Sequence, residues 1–163
     1  SSGVLVQSGR ITRQFGRRSR SVSEHGEPRF EPLPLSAAIR DHFARQVEAA
    51  YPEEACGALF GPQTGRSMPV VTAAVPLPNR APLRREGFRL EPGELELACR
   101  TRSALGESLL GFYHSHPDRS PMPSTFDLER AVPGLWQITI PVIEGRSGAR
   151  RAWRTEGASA CRR

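Results

Sequence analysis

The apolar positions of the chain divide it into alternating helical and extended stretches. Ile39, Phe43 and Val47 recur at four-residue steps, Ser36 is a suitable N-cap and Tyr51-Pro52 stops the pattern, so an amphipathic helix is expected over about 36–50. His42 lies beside this stripe and, with no partner at ligand spacing, reads as structural. Short β-like runs follow at Ala58-Leu59-Phe60, Pro69 to Leu77 and Gly87 to Leu90. Pro92 and Gly93 open a second helix that ends near Gly106, with Leu95, Leu97, Ala98 and Leu105 able to face inward. Leu109 to His116 reads as a strand and Ser124 to Ala131 as a short helix. Trp136 to Ile143 and Arg150 to Arg154 read as a closing hairpin around Gly145 to Gly148. A helix, mixed strands, a helix, a strand, a short helix and strands describe an α/β or α+β sandwich without parallel βαβ regularity.

At 163 residues the chain has room for one ordinary domain. An apolar fraction of 37% suffices for a core, and 15 Gly with 15 Pro favour turns over a helical bundle. No apolar run reaches the roughly 18 residues of a membrane span. Residues 1–30 are rich in Arg and Ser and resemble a disordered leader, a transit peptide or a misplaced start. The expected organisation is a leader over 1–30, a domain over 31–156 and a tail over 157–163.

The net charge of +6 sits at the two ends. Residues 1–30 and 144–163 each hold six Arg against two Glu, leaving the middle with eleven Arg and thirteen acids. The core is therefore not basic, and nucleic-acid binding would rest on nonspecific phosphate contacts from the termini. All basic side chains are Arg, to which no function attaches. Cys56, Cys99 and Cys161 are odd in number and far apart, so neither a disulfide framework nor a cysteine zinc site is indicated, and a reducing, cytoplasmic location is expected.

The chemistry concentrates in Gly111-Phe112-Tyr113-His114-Ser115-His116-Pro117. Residues two apart on a strand project from one face, so His114 and His116 can present both imidazoles to one point. Eleven residues on, beyond a loop with Pro117, Pro121 and Pro123, Asp127 falls in the first turn of the next helix and can return a carboxylate oxygen to that point. Two His and one Asp with an open fourth position are the make-up of a catalytic zinc site. Each residue also has a plainer explanation. A His-x-His pair is often a surface feature, and Ser124 with Asp127 matches a capping box.

Together, His-Ser-His-Pro, six residues, Ser124, two residues and Asp127 resemble the JAMM motif of the MPN+ zinc metallopeptidases at full spacing, and Glu54-Ala55-Cys56-Gly57-Ala58-Leu59-Phe60-Gly61 resembles that family's upstream glutamate element. The likeness extends from about Leu35 to Trp153. It is greatest to short prokaryotic members similar to the CysO-cysteine peptidase, which share Pro-x-Glu-x-Cys-Gly and a segment like Pro78-Asn79-Arg80. Met122-Pro123 departs from the Trp-Leu pair usual in the eukaryotic deubiquitinases.

The resemblance implies an MPN-type mixed β-sheet sandwiched by helices, a cytidine-deaminase-like architecture. It implies one Zn2+ per chain held by His114, His116 and Asp127, Glu54 as the catalytic glutamate and Ser124 as the oxyanion donor. Gly57 spacing and strand alternation select Glu54 over Glu53. The implied substrate is a ubiquitin-fold sulfur carrier ending in Gly-Gly. Two other readings stand beside it: a non-catalytic scaffold for ubiquitin-like partners, and a cysteine hydrolase built on Cys56 with His114, which burial of the thiol disfavours.

Overall fold

A computed structural model describes residues 26–65 and 68–157. The elements run β1 (Pro28–Phe30), α1 (Ala37–Ala50), β2 (Cys56–Gly61), β3 (Ala73–Leu77), α2 (Pro92–Ser103), β4 (Ser108–Pro117), α3 (Thr125–Arg130), β5 (Trp136–Ile143), β6 (Arg146–Ser147) and β7 (Arg151–Thr155). The strands form one mixed sheet in the order β1-β7-β5-β4-β2-β3, with β6 paired to β5. Most of the expected leader, residues 1–25, and the tail from 158 lie outside the described residues. Its last residues do not: Pro28 to Phe30 pair antiparallel with Trp153 to Thr155 and Leu33 is buried, so the sheet begins before the expected boundary at 31.

Side chains alternate across the central strands and build one core on each face. Ile39, Phe43 and Val47 of α1 cover Leu59, Tyr113, Ile138, Ile140 and Val142 on one side. Leu95 of α2, with Phe88 and Leu90 from the preceding loop, covers Cys56, Ala58, Phe60 and Phe112 on the other. The Ser36 hydroxyl caps α1 by accepting from the Ile39 N–H at 3.3 Å, as its place before the apolar stripe predicts.

Several expectations need correction. Leu97 and Leu105 are 59% and 65% exposed, because α2 buries only the narrow stripe of Leu95, Ala98 and Cys99, and Leu105 follows the helix end. The strand expected from Pro69 starts at Ala73. Ahead of it Val70 presses its carbonyl against Gly61, where an added Cβ would come within 1.9 Å. Gly87 to Leu90 forms no strand: it is a loop segment whose Phe88 and Leu90 plug the α2-side core. The sheet also contains a βαβ unit, since β4 and β5 are parallel and joined through α3. With only six residues, α3 is too short to announce a crossover in the hydrophobic pattern. At the start of this parallel pairing a Cβ at Gly111 would lie 1.9 Å from the Trp136 carbonyl oxygen. The closing strands turn at Glu144-Gly145, both with positive φ, a pairing typical of a tight hairpin turn.

Candidate metal centre

Strand alternation sends His114 and His116 to the face of β4 that carries Phe112, at the end of the strand where the βαβ crossover begins. Their Nε2 atoms lie 3.1 Å apart. Asp127, from the first turn of α3, places Oδ1 at 3.3 Å from His114 Nε2 and Oδ2 at 3.2 Å from His116 Nε2. All three side chains are buried, and their ligand atoms lie within 4.8 Å of one another. Two imidazole nitrogens facing each other over a carboxylate, away from water, are a costly arrangement unless a cation or a shared proton sits among them. The donor set therefore fits a divalent metal such as zinc.

The surrounding bonds prepare the ligands for that role. His116 Nδ1 lies 2.7 Å from the Ser120 carbonyl, so it carries the proton and Nε2 presents a lone pair inward. Asp127 is held by a reciprocal cap: its N–H donates to Ser124 Oγ at 3.1 Å, and the Ser124 N–H donates to its Oδ2 at 2.8 Å. The capping box and the ligand set thus share Asp127. Ser124 Oγ uses its acceptor capacity in the cap and keeps its own proton free to donate.

Without a metal, burial opposes charge on His114, but the Asp127 carboxylate beside it outweighs burial and raises its affinity for a proton. Burial dominates at His116 and lowers it. Burial also opposes charge on Asp127, yet the two histidines overcome this and hold it well below the usual carboxylate range.

Glu54 is buried at 1% exposure, and its charge is felt at His114. It precedes β2, so strand alternation does not orient it; contacts outside the ladder do. The Glu54 N–H donates to the Arg84 carbonyl at 2.7 Å and its carbonyl accepts from Asn79 Nδ2 at 3.0 Å. Its carboxylate pairs with Arg119 from the loop after β4. Glu53 turns outward to Arg84 Nε at 3.3 Å, as expected, though for this reason rather than by strand alternation. Ser115, between the two histidines, faces the other way and clips the next residue: its hydroxyl accepts from the Ala55 N–H at 2.8 Å and its N–H donates to the Ala55 carbonyl at 2.9 Å.

Phe88 stacks on the His114 ring with centroids 4.7 Å apart. Asp118, at positive φ, anchors the loop that carries Arg119 by accepting from the Tyr51 hydroxyl at 2.7 Å and the Glu144 N–H at 2.8 Å. Arg119, Phe88 and the role of Asn79 are not predictable from spacing, since each acts across a loop contact; only the Pro78-Asn79-Arg80 segment carries a sequence signal. Cys56 is buried in β2 and its thiol is pushed up to about 12, first by burial and then by the charge of Glu54. It is not a competent nucleophile. His42 sits 3.5 Å from the Tyr113 hydroxyl inside the α1 interface, apart from the cluster.

The comparison with known families agrees with the expected JAMM-type domain. Residues 36–156 match the model described as prokaryotic homologs of the JAB domain. The chain belongs to this family. It is similar to a desampylase of Haloferax volcanii, 38% identical over 103 residues that cover 61% of this chain and 72% of that one. It is also similar to a probable TtuB-protein conjugate cleaving protease of Thermus thermophilus, 31% identical over 133 residues covering 82% and 80%. A solution structure from Salinibacter ruber superposes with a TM-score of 0.57 at 26% identity, covering 78% of this chain and 93% of that one. A second, from Desulfitobacterium hafniense, gives 0.59 at 23% identity, over 76% and 89%, and supports the fold alone. No helix among the described residues is long and apolar enough to cross a membrane.

Proposed function

We propose that this chain is a zinc-dependent peptidase or isopeptidase that cleaves at the C-terminal Gly-Gly tail of a ubiquitin-like protein, a sulfur carrier of the ubiquitin fold being the favoured substrate. The observation that carries the proposal is the convergence of His114 Nε2, His116 Nε2 and an Asp127 oxygen at one buried point beside the buried carboxylate of Glu54. Relatives described as a desampylase and as a conjugate cleaving protease support the same reading.

His114, His116 and Asp127 would hold the metal, which in such sites lowers the pKa of water towards about 7 and polarises a carbonyl. Glu54 is the proton carrier, taking a proton from the attacking water and delivering it to the departing amine. Ser124 donates its free hydroxyl proton to the developing oxyanion, a contact whose loss typically costs about 100-fold or more in rate. Arg119 fixes the direction of the Glu54 carboxylate. An extended Gly-Gly tail suits docking by main-chain pairing beside the site.

The test is elemental analysis of protein never exposed to chelator, together with hydrolysis of a ubiquitin-fold protein carrying an adduct on its terminal glycine. About one zinc per chain is expected, with loss of both zinc and hydrolysis in His114→Ala. Protein that contains no metal and fails to bind added zinc tightly overturns the ligand assignment.

A further inference from the structure

Glu54 lies two residues before β2 begins, so no strand ladder fixes its main chain. What holds it instead is largely the loop from 79 to 89, and one side chain organises that loop. Asn79 Nδ2 donates to the Glu54 carbonyl at 3.0 Å and to the Gly87 carbonyl at 2.9 Å. Its Oδ1 accepts from the Ala81 N–H at 3.0 Å and the Arg89 N–H at 3.2 Å. A primary amide offers two hydrogens and two lone pairs; here all four are used, and every partner is main chain. Exchanging Oδ1 and Nδ2 would set like groups against each other at all four contacts, so the orientation of the amide is determined by its surroundings.

The four partners matter because of what they flank. Gly87 and Arg89 are the neighbours of Phe88, which is 1% exposed and stacks on the His114 ring. The loop closes on itself through the Arg80 N–H and the Arg89 carbonyl at 2.9 Å, and holds Glu54 a second time through the Arg84 carbonyl. A single amide thus ties the peptide of the proposed proton carrier to the peptides on either side of the ring that covers a proposed metal ligand.

We propose that Asn79 is a positioning residue that sets Glu54 relative to His114, acting through the Glu54 carbonyl. The inference rests on Glu54 being the proton carrier. Displacement of a reacting group by about 1 Å can cost roughly 100-fold in rate, and losing the Asn79 bond removes the hold on the Glu54 carbonyl while leaving those on its N–H and carboxylate. Metal binding needs no such anchor, because His114, His116 and Asp127 are held by β4 and by the α3 cap.

Asn79→Asp and Asn79→Ala separate the parts of this claim. Aspartate keeps the acceptor for Ala81 and Arg89 but replaces the donor facing Glu54 and Gly87 with an oxygen, whereas alanine removes all four bonds. In the full zinc-loaded chain, Asn79→Asp should lower kcat about 10- to 100-fold. Its KM should stay within about threefold and its zinc content at the wild-type level. By amide hydrogen exchange the Glu54 N–H should lose protection in both variants, and those of Ala81 and Arg89 only in Asn79→Ala. Combining Asn79→Asp with Glu54→Gln should lower kcat no further than Glu54→Gln alone, since a residue acting through Glu54 has nothing left to position.

Wild-type kcat in Asn79→Asp, with Glu54→Gln inactive, overturns the positioning role and leaves the proton carrier in place. Additive losses, or zinc lost in parallel with kcat, assign Asn79 a purely structural part and overturn it too. Full kcat in both single variants removes Glu54 as the proton carrier, and the positioning role with it.

Discussion

Gly57 is a point of close packing three residues after the proposed proton carrier, and Gly57→Ala tests it. A Cβ there would lie 2.4 Å from Tyr113 Cζ, 2.4 Å from its Oη and 2.4 Å from the Val75 carbonyl oxygen. Comfortable carbon contacts lie near 3.5–4.0 Å, so over an ångström of movement is required. Neither side can yield easily. The Tyr113 ring is buried, its hydroxyl donates to Gln46 and its face packs on Phe43 with centroids 4.6 Å apart. Val75 belongs to the β2–β3 ladder opposite Ala58.

Overpacking of one methyl group costs about 1–3 kcal/mol, and with two opposed rigid neighbours the upper end applies. The unfolded chain returns about 0.4–1 kcal/mol for a glycine replaced without positive φ, leaving about 2 kcal/mol or slightly more. For a domain of this size that is a fall in Tm of roughly 5–10 °C, measurable by scanning calorimetry or circular dichroism. Gly93→Ala in α2, where an added Cβ meets nothing within 4 Å, is the control and should be neutral or slightly stabilising. Tyr113→Phe in the Gly57→Ala background removes only one of the three opposing atoms and should restore part of the loss. A Gly57→Ala protein that melts within about 2 °C of wild type would refute the reasoning, because the close approach of β2 to Tyr113 could then not be real.

Glu54→Gln should retain zinc and lose at least about 100-fold in kcat, while Glu53→Gln, which loses only an exposed contact with Arg84, should keep most of its activity; reversed behaviour shifts the glutamate register by one. Native protein treated with iodoacetamide at mildly alkaline pH should leave Cys56 unmodified and activity intact, since a thiol near pKa 12 supplies almost no thiolate, whereas a strong chelator should abolish activity. Rapid labelling of Cys56 in the folded protein, found by peptide mass mapping, would contradict its burial. The Asp118 carboxyl lies below its usual 3.8, first through the Glu144 N–H and then through the Tyr51 hydroxyl, so its contribution to stability is complete above that value and lost as pH falls through the depressed one. Asp118→Asn should therefore melt lower than wild type near neutral pH, with the difference shrinking below about pH 3; a gap that persists in strong acid assigns the effect to something other than the charge.

The sequence announces those features whose residues are close together. His114 and His116 share a strand face by alternation, Asp127 and Ser124 share a helical turn, and Ser36 caps the stripe of Ile39, Phe43 and Val47. Each depends on local geometry, which spacing encodes. Features made by distant pieces do not show in this way. Arg119 reaches Glu54 across 65 positions, and the Asn79 amide meets Glu54 across 25. The outward turn of Leu97 follows from the narrow strip α2 buries, which its own apolar pattern overstates. Gly87 to Leu90 misleads for a related reason: its apolar residues are buried, but as a plug over His114 rather than as a ladder strand.

The outer strand β3 has a consequence for how the sheet meets other chains. Among the described residues it pairs only with β2, so its far side is a row of main-chain groups open to another extended segment. Pro76, exposed next to the last residue of that strand and opposite Gly57, has no N–H to give. A segment laid along β3 would find a gap in the donors there, which discourages indiscriminate growth of the sheet by identical molecules. The same gap would leave a visiting tail one main-chain hydrogen bond short near the end of β3.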